Sequence, residues 1–274
     1  MEVESSMSSS GDRTERYFFV HIMKVGGWSF NIMMRRSFAI EECYPNKKDD
    51  SNRFRAKLNV DYFRNLSPER LARIRYYGPH FPFIASELIK PAPFRLALFR
   101  DPVERVLSQI KQNRRGYPPS SSLADVYHSW PKDDGRLSNH QTQVMGAKSL
   151  REFSHVYRRL DVGQTHLDRA KENVDKLDFL GLTERFDESV RILEDSFGLN
   201  LGETVFHNVG DSSDVDENLR NSIYEHNQLD IELYEYVKMS FENRKRQITE
   251  NGKHMNEPTA AGADPPIPYA GPPG

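Results

Sequence analysis

Apolar residues fall along this chain in short dense runs, separated by longer stretches in which they return every three or four positions. Tyr17, Phe18, Phe19, Val20 and Ile22 form one run rich in aromatic and β-branched residues. That is the pattern of a strand buried on both faces of a parallel sheet. Leu96, Ala97, Leu98 and Phe99 make a second such run, Phe179 to Leu182 a third, and Ile74 to Tyr77 a shorter candidate.

Helical periodicity follows the runs. A helix is expected to begin near Trp28, with Ile32, Met33 and Met34 on its apolar face. After the second run, Asp101 stands as N-cap, Pro102 as the first helical residue and Glu104 as the third, a strong start signal. Val103, Val106, Leu107 and Ile110 then repeat at core spacing, which sets Asp101, Arg105 and Ser108 on the opposite side. Val190, Leu193 and Phe197 mark an amphipathic helix after the third run. Ser67-Pro68-Glu69 opens a short helix, His155 to Leu177 reads as mostly helical, and Val215 to Arg246 as one long helix or a pair.

Residues 1–16 are polar, and Asn251 to Gly274 is rich in Gly, Pro and Ala without any hydrophobic period, so both are expected to be disordered tails around one domain, 17–250. Strands each followed by a helix imply an α/β protein with a P-loop-like three-layer fold, a central parallel sheet flanked by helices.

The chemistry sits where the strands turn into helices. Between the first strand and its helix lie Lys24, Val25, Gly26, Gly27, Trp28 and Ser29. Glycines there let backbone N–H groups approach an anion, the helix aims its positive end at the same point, and Lys24 and Ser29 add a charge and a hydroxyl. Arg100 at the carboxyl end of the second strand, with Ser108 two turns along the helix, can meet an anion in the crevice where open α/β sheets bind ligands. A Walker A loop requires its lysine after the last glycine, whereas Lys24 precedes Gly26 and Gly27. A true P-loop kinase is therefore the less favoured alternative.

At these residues the chain resembles the carbohydrate-type sulfotransferases that use 3′-phosphoadenosine 5′-phosphosulfate, the heparan sulfate 2-O-sulfotransferase type (sulfotransferase family 2). Members carry a segment like His-Ile-Pro-Lys-Thr-Gly-Gly-Thr-Ser-Phe, matched here by His21 to Phe30. They also carry an Arg-Asp-Pro…Ser segment, matched by Arg100, Asp101, Pro102 and Ser108. Weaker likeness continues through Gly78-Pro79-His80-Phe81, Asn139 to Gly146, Leu180 to Leu193 and the late helix with Asp230, Leu233 and Tyr234.

The resemblance implies that the Lys24 to Ser29 loop holds the 5′-phosphosulfate and that Arg100 and Ser108 hold the 3′-phosphate. It further implies that His80 is the catalytic base and that no metal is needed. The chain departs from the family at Met23 (usually Pro), at Val25 and Trp28 (usually Thr) and at Gln143 (usually Arg). Two hydroxyl donors are thereby absent, leaving Ser29, Lys24 and backbone amides at the sulfated phosphate.

Sulfuryl transfer needs charge stabilisation on the departing phosphate, removal of the acceptor's hydroxyl proton, and in-line alignment of both with sulfur. Lys24 is the choice for the first and His80 for the second. His140, Glu41 and Glu42 are the alternatives for the base, while His21 reads as a core residue. The implied acceptor is a glycan or small-metabolite hydroxyl, and Lys111 to Ser122 is the expected acceptor-facing loop. A non-catalytic module that binds adenosine bisphosphate is the competing reading.

Composition trims these expectations. A net charge of −2 gives no global attraction to nucleic acid. No apolar run approaches the length of a membrane span, and Met1 to Gly11 is acidic and serine-rich, unlike a signal peptide. The one cysteine, Cys43, rules out an intrachain disulfide in this sequence and points to a reducing, cytoplasmic setting. Clusters such as Arg35-Arg36, Arg53-Arg55-Lys57, Arg70-Arg73-Arg75 and Arg158-Arg159 read as solvated faces.

Overall fold

In the computed structural model, residues 15–50, 54–153, 157–204 and 215–256 are described. Five strands, β1 (Tyr17–Val20), β2 (Cys43–Tyr44), β3 (Tyr76–Tyr77), β4 (Phe94–Phe99) and β5 (Phe179–Leu182), form one sheet in the order β2-β3-β1-β4-β5. Every pairing is parallel. The helices in chain order are α1 (Gly27–Arg36), α2 (Phe54–Leu58), α3 (Val60–Arg64), α4 (Pro68–Arg73), α5 (Pro102–Asn113) and α6 (Leu123–His128). They continue with α7 (His140–Gly146), α8 (Gln164–Asp175), α9 (Phe186–Phe197), α10 (Glu217–His226) and α11 (Gln228–Asn256). The arrangement is the three-layer α/β fold that the strand-then-helix pattern implies.

The dense apolar runs become the strands because a parallel sheet covered on both faces leaves no side for polar residues. All four residues of β1 and of β5 are buried, as are Leu96 to Phe99 of β4. The main core joins this sheet to Phe30, Met33 and Met34 of α1, Val190 and Leu193 of α9, and Leu233, Val237 and Phe241 of α11. A second cluster packs Val106, Leu107 and Ile110 of α5 against Val126, Tyr127, Trp130, Leu219 and Ile223. The apolar stripe of α5 thus faces helices rather than the sheet.

Several expectations need correction. The fourth run shortens to the two-residue β3, since Ile74 only caps α4. Helix in the His155 to Leu177 stretch is confined to α8; Tyr157 to Gly163 is irregular apart from a bridge between Arg158 and Asp134, and residues 154–156 lie outside the described set. Of the two readings of the late helix the pair is the one observed, broken at Asn227, whose side chain holds the Leu137 and Ile223 carbonyls at 3.0 and 2.8 Å. α11 runs to Asn256, past the expected tail boundary, and the remainder of that tail and residues 1–14 of the other lie outside the described residues.

Arg70 is not part of a solvated face. It pairs with the almost fully buried Asp49 at 2.7 Å and donates to the Cys43 carbonyl at 2.8 Å, tying α4 to β2. Arg53 and the Arg55 side chain lie outside the described residues.

Candidate functional site

β1 and β4 are neighbours in register, Val20 beside Ala97, so the turns that follow them open at the same edge of the sheet. In the first turn Lys24 (φ 70°) and Gly26 (φ 77°) both adopt the left-handed conformation, which reverses the chain and starts α1 at Gly27. Gly27 carries a steric requirement beside the close anion approach expected of it. A Cβ there would stand 2.3 Å from the His21 imidazole.

The Lys24 ammonium donates to the Gln112 side-chain carbonyl at 2.8 Å. Burial, and then the cations Arg100, Arg105 and Arg115, hold its pKa below the usual lysine value. Ser29 is buried against the same space. Trp28 is 53% exposed and carries the Lys57 ammonium 5.0 Å from its ring centroid, so it walls the opening and does not pack into the core. Val25 differs from its neighbours: its side chain is fully buried, and its carbonyl faces the Thr183 hydroxyl at 2.8 Å.

The second turn is fastened from several directions. Asp101 caps α5 by accepting the Glu104 N–H at 3.0 Å. The Arg100 guanidinium donates to the Lys24 carbonyl at 3.2 Å, linking the two turns directly. The Thr183 hydroxyl, 2.8 Å from the Val25 carbonyl and 3.0 Å from that of Phe99, bridges the same pair of turns from the end of β5. Glu184 accepts the Asp101 N–H at 3.0 Å and the Tyr234 hydroxyl at 2.7 Å.

Arg105 contradicts the helical reading. It is fully buried beneath this turn and not beside Ser108 on a ligand-facing side. One guanidinium nitrogen donates to the Arg136 carbonyl at 2.5 Å, and the nearby Asp230 carboxylate offsets part of its burial cost. Burial still brings its pKa down to about 10.

His80 stacks on His21 with ring centroids 3.9 Å apart. Its Nδ1 lies 3.1 Å from the His21 carbonyl oxygen, which can only accept. The proton therefore sits on Nδ1, and Nε2 carries the lone pair. Burial pushes the His80 pKa down to about 4 and that of His21 well below the ordinary value, so both rings are neutral near pH 7. His21 is more than a core filler, since its carbonyl sets the tautomer of its neighbour.

A cleft of about 850 Å³ collects these groups. Lys24, Gly26, Gly27, Trp28 and Ser29 line it from the first turn, Arg100 and Ser108 from the second, and His21 and His80 line it as well. Of the expected acceptor loop, Lys111, Gln112, Asn113 and Arg115 line the cleft, although Lys111 to Asn113 still belong to α5.

Val25 and the alternative bases do not line the cleft. His140 is completely buried. Glu41 and Glu42 pair with Lys48 and Arg75 at the β2 edge. Gln143 is a structural tie: it donates to the Gly135 and Ser138 carbonyls at 3.0 and 2.6 Å and accepts the Leu160 N–H at 2.9 Å. No cluster of side chains suited to a metal ion occurs among the described residues.

Sequence reasoning missed Thr183, Glu184, Gln112 and Gln141. Each lies in a stretch singled out above, 180–193, 139–146 or 111–122, but no residue within it was named; Thr183 and Glu184 also directly follow a buried strand, the position from which a sheet presents residues to its binding edge.

No protein-family model matches the chain. It is 26% identical over 268 residues to heparan-sulfate 6-O-sulfotransferase 2 of Gallus gallus, a match covering 82% of this chain and 66% of that protein. The chain thus spans just under two thirds of the length of this relative. The likeness supports the carbohydrate-sulfotransferase type reached from the two turns, and it does not separate the 2-O from the 6-O kind. Among the described residues, no helix is long and apolar enough to cross a membrane.

Proposed function

We propose that this chain is a sulfotransferase that moves the sulfuryl group of 3′-phosphoadenosine 5′-phosphosulfate to a hydroxyl of a carbohydrate or small-molecule acceptor by direct in-line transfer. The observation that carries this reading is the meeting of two strand-to-helix turns, cross-linked by Arg100 and Thr183, on one cleft that also holds a neutral histidine.

In this reading Lys24, Ser29, Trp28 and the backbone amides of Gly26 and Gly27 surround the 5′-phosphosulfate, and Arg100 and Ser108 take the 3′-phosphate. His80 Nε2 accepts the acceptor's hydroxyl proton as its oxygen bonds to sulfur. The bond from sulfur to the bridging phosphate oxygen breaks on the far side, and Lys24 stabilises the charge left on adenosine 3′,5′-bisphosphate. A glycan acceptor is favoured by the activity named for the similar protein. The buried thiol of Cys43, the one cysteine of this sequence, supports a reducing, cytoplasmic setting.

Calorimetric titration with adenosine 3′,5′-bisphosphate, ADP and ATP, with and without magnesium, tests the proposal. Selective binding of the bisphosphate whether or not magnesium is present is the expected result. Preference for ATP with magnesium would overturn it in favour of a kinase.

A further inference from the structure

Arg100 is the first residue beyond β4, where the ladder no longer pairs its backbone groups. Both are taken by one side chain. The Arg100 N–H donates to the Gln141 carbonyl oxygen at 3.1 Å, and the Gln141 amide nitrogen donates to the Arg100 carbonyl at 2.9 Å. A single hydrogen bond leaves a backbone segment free to pivot about it. Two antiparallel bonds to one planar amide remove that freedom and fix the direction in which the arginine leaves the main chain.

Gln141 is itself immobilised. It is fully buried, and its own N–H donates to the Asp230 carboxylate at 3.0 Å. The other Asp230 oxygen accepts the Thr142 N–H and hydroxyl at 2.7 and 2.8 Å. Asn139 closes the loop, its side-chain oxygen accepting the Asp230 N–H at 3.1 Å. A continuous set of hydrogen bonds therefore runs from α11 through the start of α7 to the main chain of Arg100.

We infer that Gln141, held by Asp230, is a positioning residue that aims Arg100 at the 3′-phosphate and so sets the preference for a 3′-phosphorylated nucleotide. The inference rests on the proposed role of Arg100 in the cleft. Gln141 touches no ligand; it acts through the two backbone groups of Arg100.

Adenosine 3′,5′-bisphosphate and adenosine 5′-monophosphate differ only by the 3′-phosphate, so the ratio of their affinities isolates the contact that Gln141 is argued to aim. Calorimetry on the wild-type chain, Gln141→Met and Gln141→Glu gives that ratio for each. A charge-assisted contact corresponds to a wild-type preference of roughly 10- to 150-fold for the bisphosphate. Gln141→Met keeps the volume and loses both bonds, and it is expected to cut the preference about tenfold while monophosphate affinity stays within about threefold. Gln141→Glu keeps the acceptor and loses the donor, and an intermediate ratio is expected.

A wild-type preference that survives unchanged in both variants would overturn the inference and leave the role of Arg100 standing. A wild-type ratio near one would remove the role of Arg100 itself, and the inference with it. Should Gln141→Met not fold, Gln141→Glu decides alone.

Discussion

Lys24 combines an unusual backbone with an exposed task. Its left-handed conformation is one that side chains other than glycine rarely adopt, and the Arg100 bond to its carbonyl helps keep it there. Lys24→Ala is expected to lower kcat by at least about 100-fold, the range for lost electrostatic stabilisation, with a much smaller change in bisphosphate affinity. Single-turnover assays beside calorimetry separate the two effects. Arg100→Ala is expected to reverse the pattern, weakening bisphosphate binding by about 1.5–3 kcal/mol.

The histidine pair makes a pH prediction whose sign follows from burial. His80 is depressed from an ordinary value of 6.5 to about 4, so it stays neutral and able to accept a proton well below pH 6.5. The acid limb of kcat/KM is expected below pH 6 rather than near 6.5. The same depression costs stability, because the unfolded chain takes up the proton first. Stability is full above about pH 6.5 and falls as pH drops toward about 4, with His21 acting in the same direction. Denaturant midpoints at pH 7 and pH 5 check this, and a midpoint that does not fall would contradict it.

At the scale of elements, α5 shows what the sequence makes legible. Asp101 and Pro102 announce its start because capping is local chemistry, and the observed cap is the expected one. Asp101→Ala is expected to cost about 1 kcal/mol, read as a shift of the denaturation midpoint without change in slope. Arg105 in the same helix was misread because period alone assigns a side to each residue and not a partner. The carboxylate that makes its burial tolerable comes from Asp230, far along the chain on α11. β3 was overextended and α8 begun too early for a related reason: two-residue strands and irregular segments are held by distant backbone groups, which leave no periodic trace. Gln143 shows the same limit, since its side chain ties the 135–138 stretch and Leu160 to α7, partners that no periodicity announces.

At the scale of the whole molecule, strand order decides where ligands meet protein. β1 is continued on one side by β3 and on the other by β4, so the chain departs in opposite directions from neighbouring strands and a crevice opens at their carboxyl ends. Both chemical motifs were visible in the sequence because each is one strand, one turn and one helix. Their meeting was visible only through resemblance, because it depends on strand order. A ligand that bridges the two turns should stabilise the entire domain. Adenosine 3′,5′-bisphosphate at 100 times its Kd is expected to add about 2.7 kcal/mol, seen as a rise in Tm, with ADP giving less.

The contact between Lys24 and Gln112 has a consequence for how the cleft fills. An ammonium resting on a carboxylate would have its field cancelled, and an arriving dianion would first have to break an ion pair. Resting on a neutral amide, Lys24 keeps its full charge while its orientation is already set. The cleft therefore projects the attraction of a cation that no described carboxylate pairs with, and an arriving anion displaces a dipole from it.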